Sequence, residues 1–217
     1  MKLLSGSTCV CLLVVAISAF GCKSSNPSGG MRVVQPGAPG EPSRIIDGES
    51  LGNDVAAYTE ADVNFMQGMI GHHAQALDMT ALIEDRTGRR DLRLLGMRIS
   101  ASQKDEIKLM QNWLRKKGEE VPDGTAHHMV HGHAELMPGM LNMEQMQELE
   151  QASGNDFYRL FLEYMIMHHE GALTMVDELL ASEGAAQDSD IFRFASDVDV
   201  DQRMEITRMR TMLKNLR

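Results

Sequence analysis

Eight histidines occur in this 217-residue chain, and all of them fall in three clusters: His72/His73, His127/His128/His131/His133 and His168/His169. Imidazole can ligate a metal or carry a proton, and when buried neutral it is a polar group that needs a partner. The first and last pairs are set among thioethers, Met69 and Met79 around one and Met165, Met167 and Met175 around the other. Thioether sulfur stays unprotonated and forms no disulfide. Combined with imidazole it suits Cu(I), and by analogy Ag(I), better than zinc, whose sites usually recruit cysteine or carboxylate alongside histidine. Methionine is the compositional outlier, at 18 of 217 residues. The plain alternative is that each histidine is a core residue with one hydrogen-bond partner and each methionine is adaptable core filler. A lone histidine favours that reading, whereas a pair repeated in the same setting favours a shared ion.

The setting is repeated. Phe65-x3-Met69-x2-His72-His73-x2-Ala76-Leu77-x-Met79 recurs as Phe161-x3-Met165-x2-His168-His169-x2-Ala172-Leu173-x-Met175, at a constant offset of 96. A second pattern, Gln103-x2-Glu106-Ile107-x2-Met110-x3-Leu114, recurs as Gln202-x2-Glu205-Ile206-x2-Met209-x3-Leu213, at an offset of 99. Spacings of three and four place Phe65, Met69, His72, Ala76 and Met79 on one helical stripe, so His72 and His168 face a core and His73 and His169 lie on the adjoining apolar stripe. Glu106 and Glu205 interrupt otherwise apolar stripes on the partner helices. Counted back from the hairpin turns, they reach within roughly a turn of the histidines. They are candidate ligands or acceptors that fix the ring tautomer; partly solvated glutamates at the stripe's edge are the alternative.

These elements must be helices. Apolar residues recur at three and four, no proline occurs from Ser43 to Val121, and no stretch shows strand alternation. Long helices are expected at about 59–86, 89–117, 144–183 (broken near Gly154) and 188–216, with Gly88, Gly118 and Gly184 as stop signals. One hairpin has too little core to stand alone, so an all-α fold is expected in which two duplicated helical hairpins pack as a four-helix bundle. The bundle would occupy 56–217, with hairpins at 56–117 and 144–217. The connection at 118–143 carries His127, His128, His131 and His133, and from Gly118 to Tyr158 there are eight carboxylates and no Lys or Arg. Its imidazoles suit Cu(II), and its charge makes it a local sink for cations.

Charge and cysteine usage narrow the setting. A formal net charge of −10 disfavours nucleic acid as a partner, because phosphate neutralisation needs a basic face. All three cysteines, Cys9, Cys11 and Cys22, lie in the first 22 residues, where an apolar run from Val10 to Phe20 is too short to span a bilayer and reads as a signal peptide over 1–21. Ala19-Phe20-Gly21-Cys22 is similar to a lipobox, so Cys22 is the expected lipidation site, tying the protein to a membrane. Residues 22–55, rich in Ser, Pro and Gly, are expected to be a flexible tether.

Three stretches carry a family resemblance: Met69-Ile70-Gly71-His72-His73, then Gln103-x2-Glu106-Ile107-x2-Met110-x2-Trp113-Leu114, then Phe161-Leu162-x2-Met165-Ile166-Met167-His168-His169-Glu170-Gly171-Ala172. Over roughly Asp62 to Leu213 the chain resembles the CopM-like domain-of-unknown-function family. That resemblance implies an exported bacterial protein with a ferritin-like four-helix fold and an association with periplasmic copper binding and resistance. One departure is Gly71, which stands where the second copy has Met167 and weakens the first site. The expected function is extracytoplasmic, cell-envelope capture, buffering or chaperoning of copper, with another copper-handling protein as a partner. A di-metal oxidase is the enzymatic alternative, but its Glu-x2-His ligand pattern is absent from the sequence. A structural bundle that binds no metal is the third reading.

Overall fold

The structure, a computed structural model, describes residues 32–35, 44–47, 58–122 and 136–216. The chain divides into two units, Met1–Asn53 and Asp54–Arg217. In the first, β1 (Arg32–Gln35) pairs antiparallel with β2 (Arg44–Asp47), placing Val33 opposite Ile46 and Val34 opposite Ile45. This pairing departs from the expected featureless tether. Short β-branched runs on either side of a Pro/Gly-rich stretch are a hairpin signature that the segment's average composition hides. The signal peptide and Cys22 lie outside the described residues.

The second unit is the expected all-α four-helix bundle of two hairpins. The first hairpin is α1 (Glu60–Ala81), the single turn α2 (Ile83–Arg86) and α3 (Arg90–Lys117), and the second follows α4 (Met143–Gln151) with α5 (Gly154–Ala181) and α6 (Ser189–Lys214). The expected break near Gly154 falls at Ala152 and Ser153.

Side chains set the boundaries. Thr59 caps α1 in a capping box, its Oγ1 accepting from Asp62 N at 3.3 Å while Thr59 N donates to Asp62 Oδ2 at 2.7 Å. Gly118, at φ +78°, ends α3 in the left-handed conformation that glycine adopts without penalty. Asn142 caps α4 in a second capping box with Gln145, and Asp188 caps α6. Asp188 also accepts from Lys117 Nζ at 2.8 Å, which fastens the end of α3 to the start of α6.

Within each hairpin the long helices pack lengthwise, α1 on α3 and α5 on α6, and the hairpins meet where α1 packs on α5. Two apolar clusters result. One gathers Phe65, Met69, Met110, Trp113, Met175, Leu179 and Phe194, and the other Met79, Leu92, Leu95, Ile99, Phe157, Phe161, Met165 and Met209. On α1 the histidine pair falls in sequence between the residues of one cluster and those of the other, and on α5 it does so with the exception of Leu173, which stays with the cluster of Phe161 and Met165. The bundle thus carries a polar layer between two apolar ones. Full burial of each Leu, Met or Phe contributes about 1.5–3 kcal/mol, and truncating one such residue, Leu95→Ala for example, costs about 2–5 kcal/mol.

Candidate metal centre

All four histidines of the two repeated pairs are buried. Their positions follow the duplication: the His72 and His168 rings lie 3.9 Å apart, centroid to centroid, with planes tilted by 38°. The rings of His73 and His169 stand 6.3 Å and 6.2 Å from those of their chain neighbours. The glutamates reach the expected level, and each bonds the second histidine of its pair. His73 Nε2 donates to Glu106 Oε2 at 2.6 Å, and His169 Nε2 donates to Glu205 Oε2 at 2.7 Å. Burial pushes the Glu106 carboxyl up, but hydrogen bonding and charge from His73, with Ser102 Oγ donating at 2.7 Å, hold it below the usual carboxylate range. Burial, followed by the charges of Glu106 and Glu205, raises Asp201, so these three carboxyls of α3 and α6 share one electrostatic neighbourhood.

The first histidine of each pair is held by backbone. His168 Nε2 donates to the carbonyl of His72 at 3.0 Å, and His72 Nε2 donates to the carbonyl of Pro138 at 3.0 Å. A carbonyl only accepts, so both rings carry their proton on Nε2. Burial holds both neutral, driving His72 down to about 3 with help from the charge of His73, and His168 well below its ordinary value with help from His72. Nδ1 in each is therefore a bare lone pair. In all four histidines Nδ1 is buried with no hydrogen-bond partner among the described residues. An unsatisfied buried polar atom costs about 1–3 kcal/mol, so four in one layer are a substantial standing cost that a ligand would relieve. Nearby in sequence, Gln103 leaves both amide atoms and Gln202 its carbonyl oxygen unpartnered, one turn before Glu106 and Glu205.

The thioethers are divided between the apolar layers. Met69 and Met175 belong to one cluster and Met79 and Met165 to the other, all four buried, while Met167 is half-buried against the second cluster. They flank the imidazole layer in pairs instead of gathering at one point. Antiparallel duplication explains this: the methionine before one histidine pair meets the methionine after the other. Among the described residues, no group of three or more His, Cys, Asp and Glu side chains is placed to hold a metal ion.

Not legible as part of the site in the sequence is a strap that crosses it, residues 136–142, the end of the connection leading into α4. Gln75 on α1 grips it twice, donating to the Leu141 carbonyl at 2.9 Å and accepting from Leu141 N at 2.7 Å. The position equivalent to Gln75 in the second copy is Gly171, where a Cβ would stand 1.9 Å from the Pro138 carbonyl oxygen. Gly139 at φ +73° packs back-to-back on it. The signal was present as Pro138-Gly139 beside an amide-for-glycine exchange between the copies. His127, His128, His131 and His133 lie outside the described residues.

Fold and site together define a class: duplicated helical hairpins sharing a buried layer of paired, carboxylate-anchored histidines. Residues 62–213 match the domain of unknown function DUF305, and the chain belongs to that family. A DUF305 fragment from Deinococcus radiodurans is 31% identical, with a TM-score of 0.63 over 73% of this chain and 98% of its own. A DUF305 protein from Streptomyces coelicolor, described as secreted, is 26% identical, with a TM-score of 0.62 over 72% and 93%. CopM in its Cu(II)-bound form is 26% identical, with a TM-score of 0.58 over 72% and 97%. CopM has also been solved in Cu(I)-bound and Ag-bound forms. No curated protein sequence matches the chain.

Proposed function

We propose that this protein is a non-catalytic copper-binding protein of the cell envelope, which captures and holds Cu(I) at the imidazole layer between its two hairpins. The observation that carries the reading is the set of four buried Nδ1 atoms without partners, on rings whose other nitrogen is already committed to an oxygen. That is how a histidine ligand is normally prepared, with one nitrogen fixing the ring and the other left for the metal. Flanking thioethers favour Cu(I) and Ag(I) over harder ions. The copper- and silver-bound forms of CopM, and a secreted relative, support the same reading from outside this chain. Cys22 would anchor the exported protein to a membrane, and the imidazoles at 127–133 would gather Cu(II) more weakly. A further copper-handling protein would receive the ion.

Anaerobic Cu(I) titration of the full chain against a chromophoric competitor tests this. Wild type should hold copper in competition, and His72→Ala with His168→Ala should weaken it on the order of a hundredfold or more. Replacing His168 and His169 should cost more than replacing His72 and His73, since only the second copy has a thioether, Met167, in place of Gly71. Wild-type affinity in the His72/His168 variant would remove the buried layer from the function.

A further inference from the structure

The two ends of the imidazole layer are not equivalent. Where the first copy has Gly68, the second has Tyr164, a half-buried side chain packed against the second apolar cluster and hydrogen-bonded to Glu148. Tyrosine fills its end. Glycine leaves a cleft of about 670 Å³, bounded by α1, α5 and the strap. Two thioethers converge on the space: Met137 Sδ and Met175 Cε each lie 3.3 Å from the point where a Gly68 Cβ would stand. Two carboxylates, Glu60 and Glu178, line the same cleft, and among the described residues no lining side chain is basic. Met137 is half-buried on the wall of an open cleft, which distinguishes it from the methionines packed within the apolar layers.

From these observations we infer a second metal site, a two-thioether loading site for a soft monovalent cation at the mouth of the bundle, with Met137 and Met175 as its sulfur ligands. The inference rests on the reading of the imidazole layer as a Cu(I) centre and gives that centre a port. Thioether sulfur binds Cu(I) or Ag(I) without releasing a proton, and the carboxylates concentrate cations at the opening without providing the soft donors. His72 lies one helical turn beyond Gly68, and its Nε2 is held by the carbonyl of Pro138, the residue next to Met137. A cation on the sulfurs therefore sits beside the strap that holds the first imidazole. The second hairpin has Tyr164 in place of the glycine that leaves the cleft open, so we assign loading to the first hairpin alone.

The test uses full-length protein labelled with 13C at its methionine methyls and titrated with Ag(I), which is redox-inert under these conditions. The Met137 and Met175 methyl resonances should shift together and saturate, both in wild type and in a His72→Gln, His168→Gln variant. Met137→Leu with Met175→Leu, which conserves volume and removes only sulfur, should bind one Ag(I) fewer while the histidine ring resonances still respond. Gly68→Tyr, which copies the second hairpin, should abolish the methyl shifts. If the histidine rings respond and the two methyls do not, the loading site is wrong and the imidazole centre stands. Methyl shifts that vanish in the His72/His168 variant would make the two methionines part of the imidazole centre and overturn a separate site. If neither histidines nor methionines respond, both readings fail.

Discussion

The two hairpins descend from one pattern and differ in what surrounds the first histidine of each pair. The outer anchors have stayed alike, His73 on Glu106 at 2.6 Å and His169 on Glu205 at 2.7 Å. The inner contacts have diverged. His168 leans on the backbone of the opposite helix, whereas His72 leans on the strap, which Gln75 grips and Gly171 admits. Duplication has thus preserved the groups that orient the rings and relaxed those that control access to them. If the bundle binds copper as proposed, a symmetric core with an asymmetric cover separates holding an ion from admitting one.

The largest effect should come from acid, and it should not distinguish the copies. His72 and His168 are held neutral when folded and return to an ordinary value near 6.5 when unfolded. For His72, between about pH 6.5 and about 3, the unfolded chain therefore binds a proton that the native chain refuses, so stability falls as pH falls; His168, lowered in the same direction, adds to the loss. Within that window His72 alone contributes a slope of about 1.4 kcal/mol per pH unit. Glu106, with its lowered value, acts in the same direction. Urea unfolding of metal-free protein from pH 8 to pH 4 measures this, and a flat profile would mean that the imidazole layer is hydrated.

Next in size is Gly171→Ala, which should sharpen the asymmetry. Alanine improves helix propensity by about 1 kcal/mol, but its Cβ would stand 1.9 Å from the Pro138 carbonyl oxygen, a backbone atom that moves only with the strap. A net loss of about 2 kcal/mol is expected, with the His72 ring resonances shifted and those of His169 unmoved. Gln75→Leu, which strands both polar groups of Leu141, should cost about 1–3 kcal/mol and disturb the same ring.

Glu106→Gln and Glu205→Gln test the conserved half. Each should weaken Cu(I) binding by roughly 10- to 100-fold, and by similar factors, because each removes the charge opposite an equivalent Nε2–H. Losses differing by much more than tenfold would break the symmetry of the anchors. The smallest effect on tight binding should come from replacing residues 124–135 with a Gly/Ser segment. That change removes four histidines and leaves the strap intact, so total copper uptake should fall while high-affinity Cu(I) binding is retained.

The duplication, the helices and the common depth of the histidine pairs were legible because a bundle's core repeats with helical period. Which histidine of each pair meets its glutamate was not, since counting residues from a turn cannot choose between neighbours such as His72 and His73. The partition of the methionines depends on how α1 crosses α5, and a stripe on one helix carries no information about which layer of the other it will face. The strap engages through the carbonyl of Pro138 and the backbone of Leu141, atoms that every residue possesses, so its trace in the sequence is confined to Pro138-Gly139 and the exchange of Gln75 for Gly171. The β1–β2 pair was hidden for the opposite reason. Its Val and Ile runs are distinctive, but they are four residues long in a stretch otherwise composed like a linker.

Asp62, wholly buried at the start of α1, spends one carboxylate oxygen on its own capping box and the other on the backbone N–H of Ala186, 124 residues later, at 2.7 Å. The residue that caps the first helix therefore also fastens the turn between the last two. The contact joins residues 124 positions apart, one in each hairpin. The two halves, alike enough to suggest independent modules, are bound into one cooperative act of folding, and a chain cut between them should yield two fragments that need each other before either acquires structure.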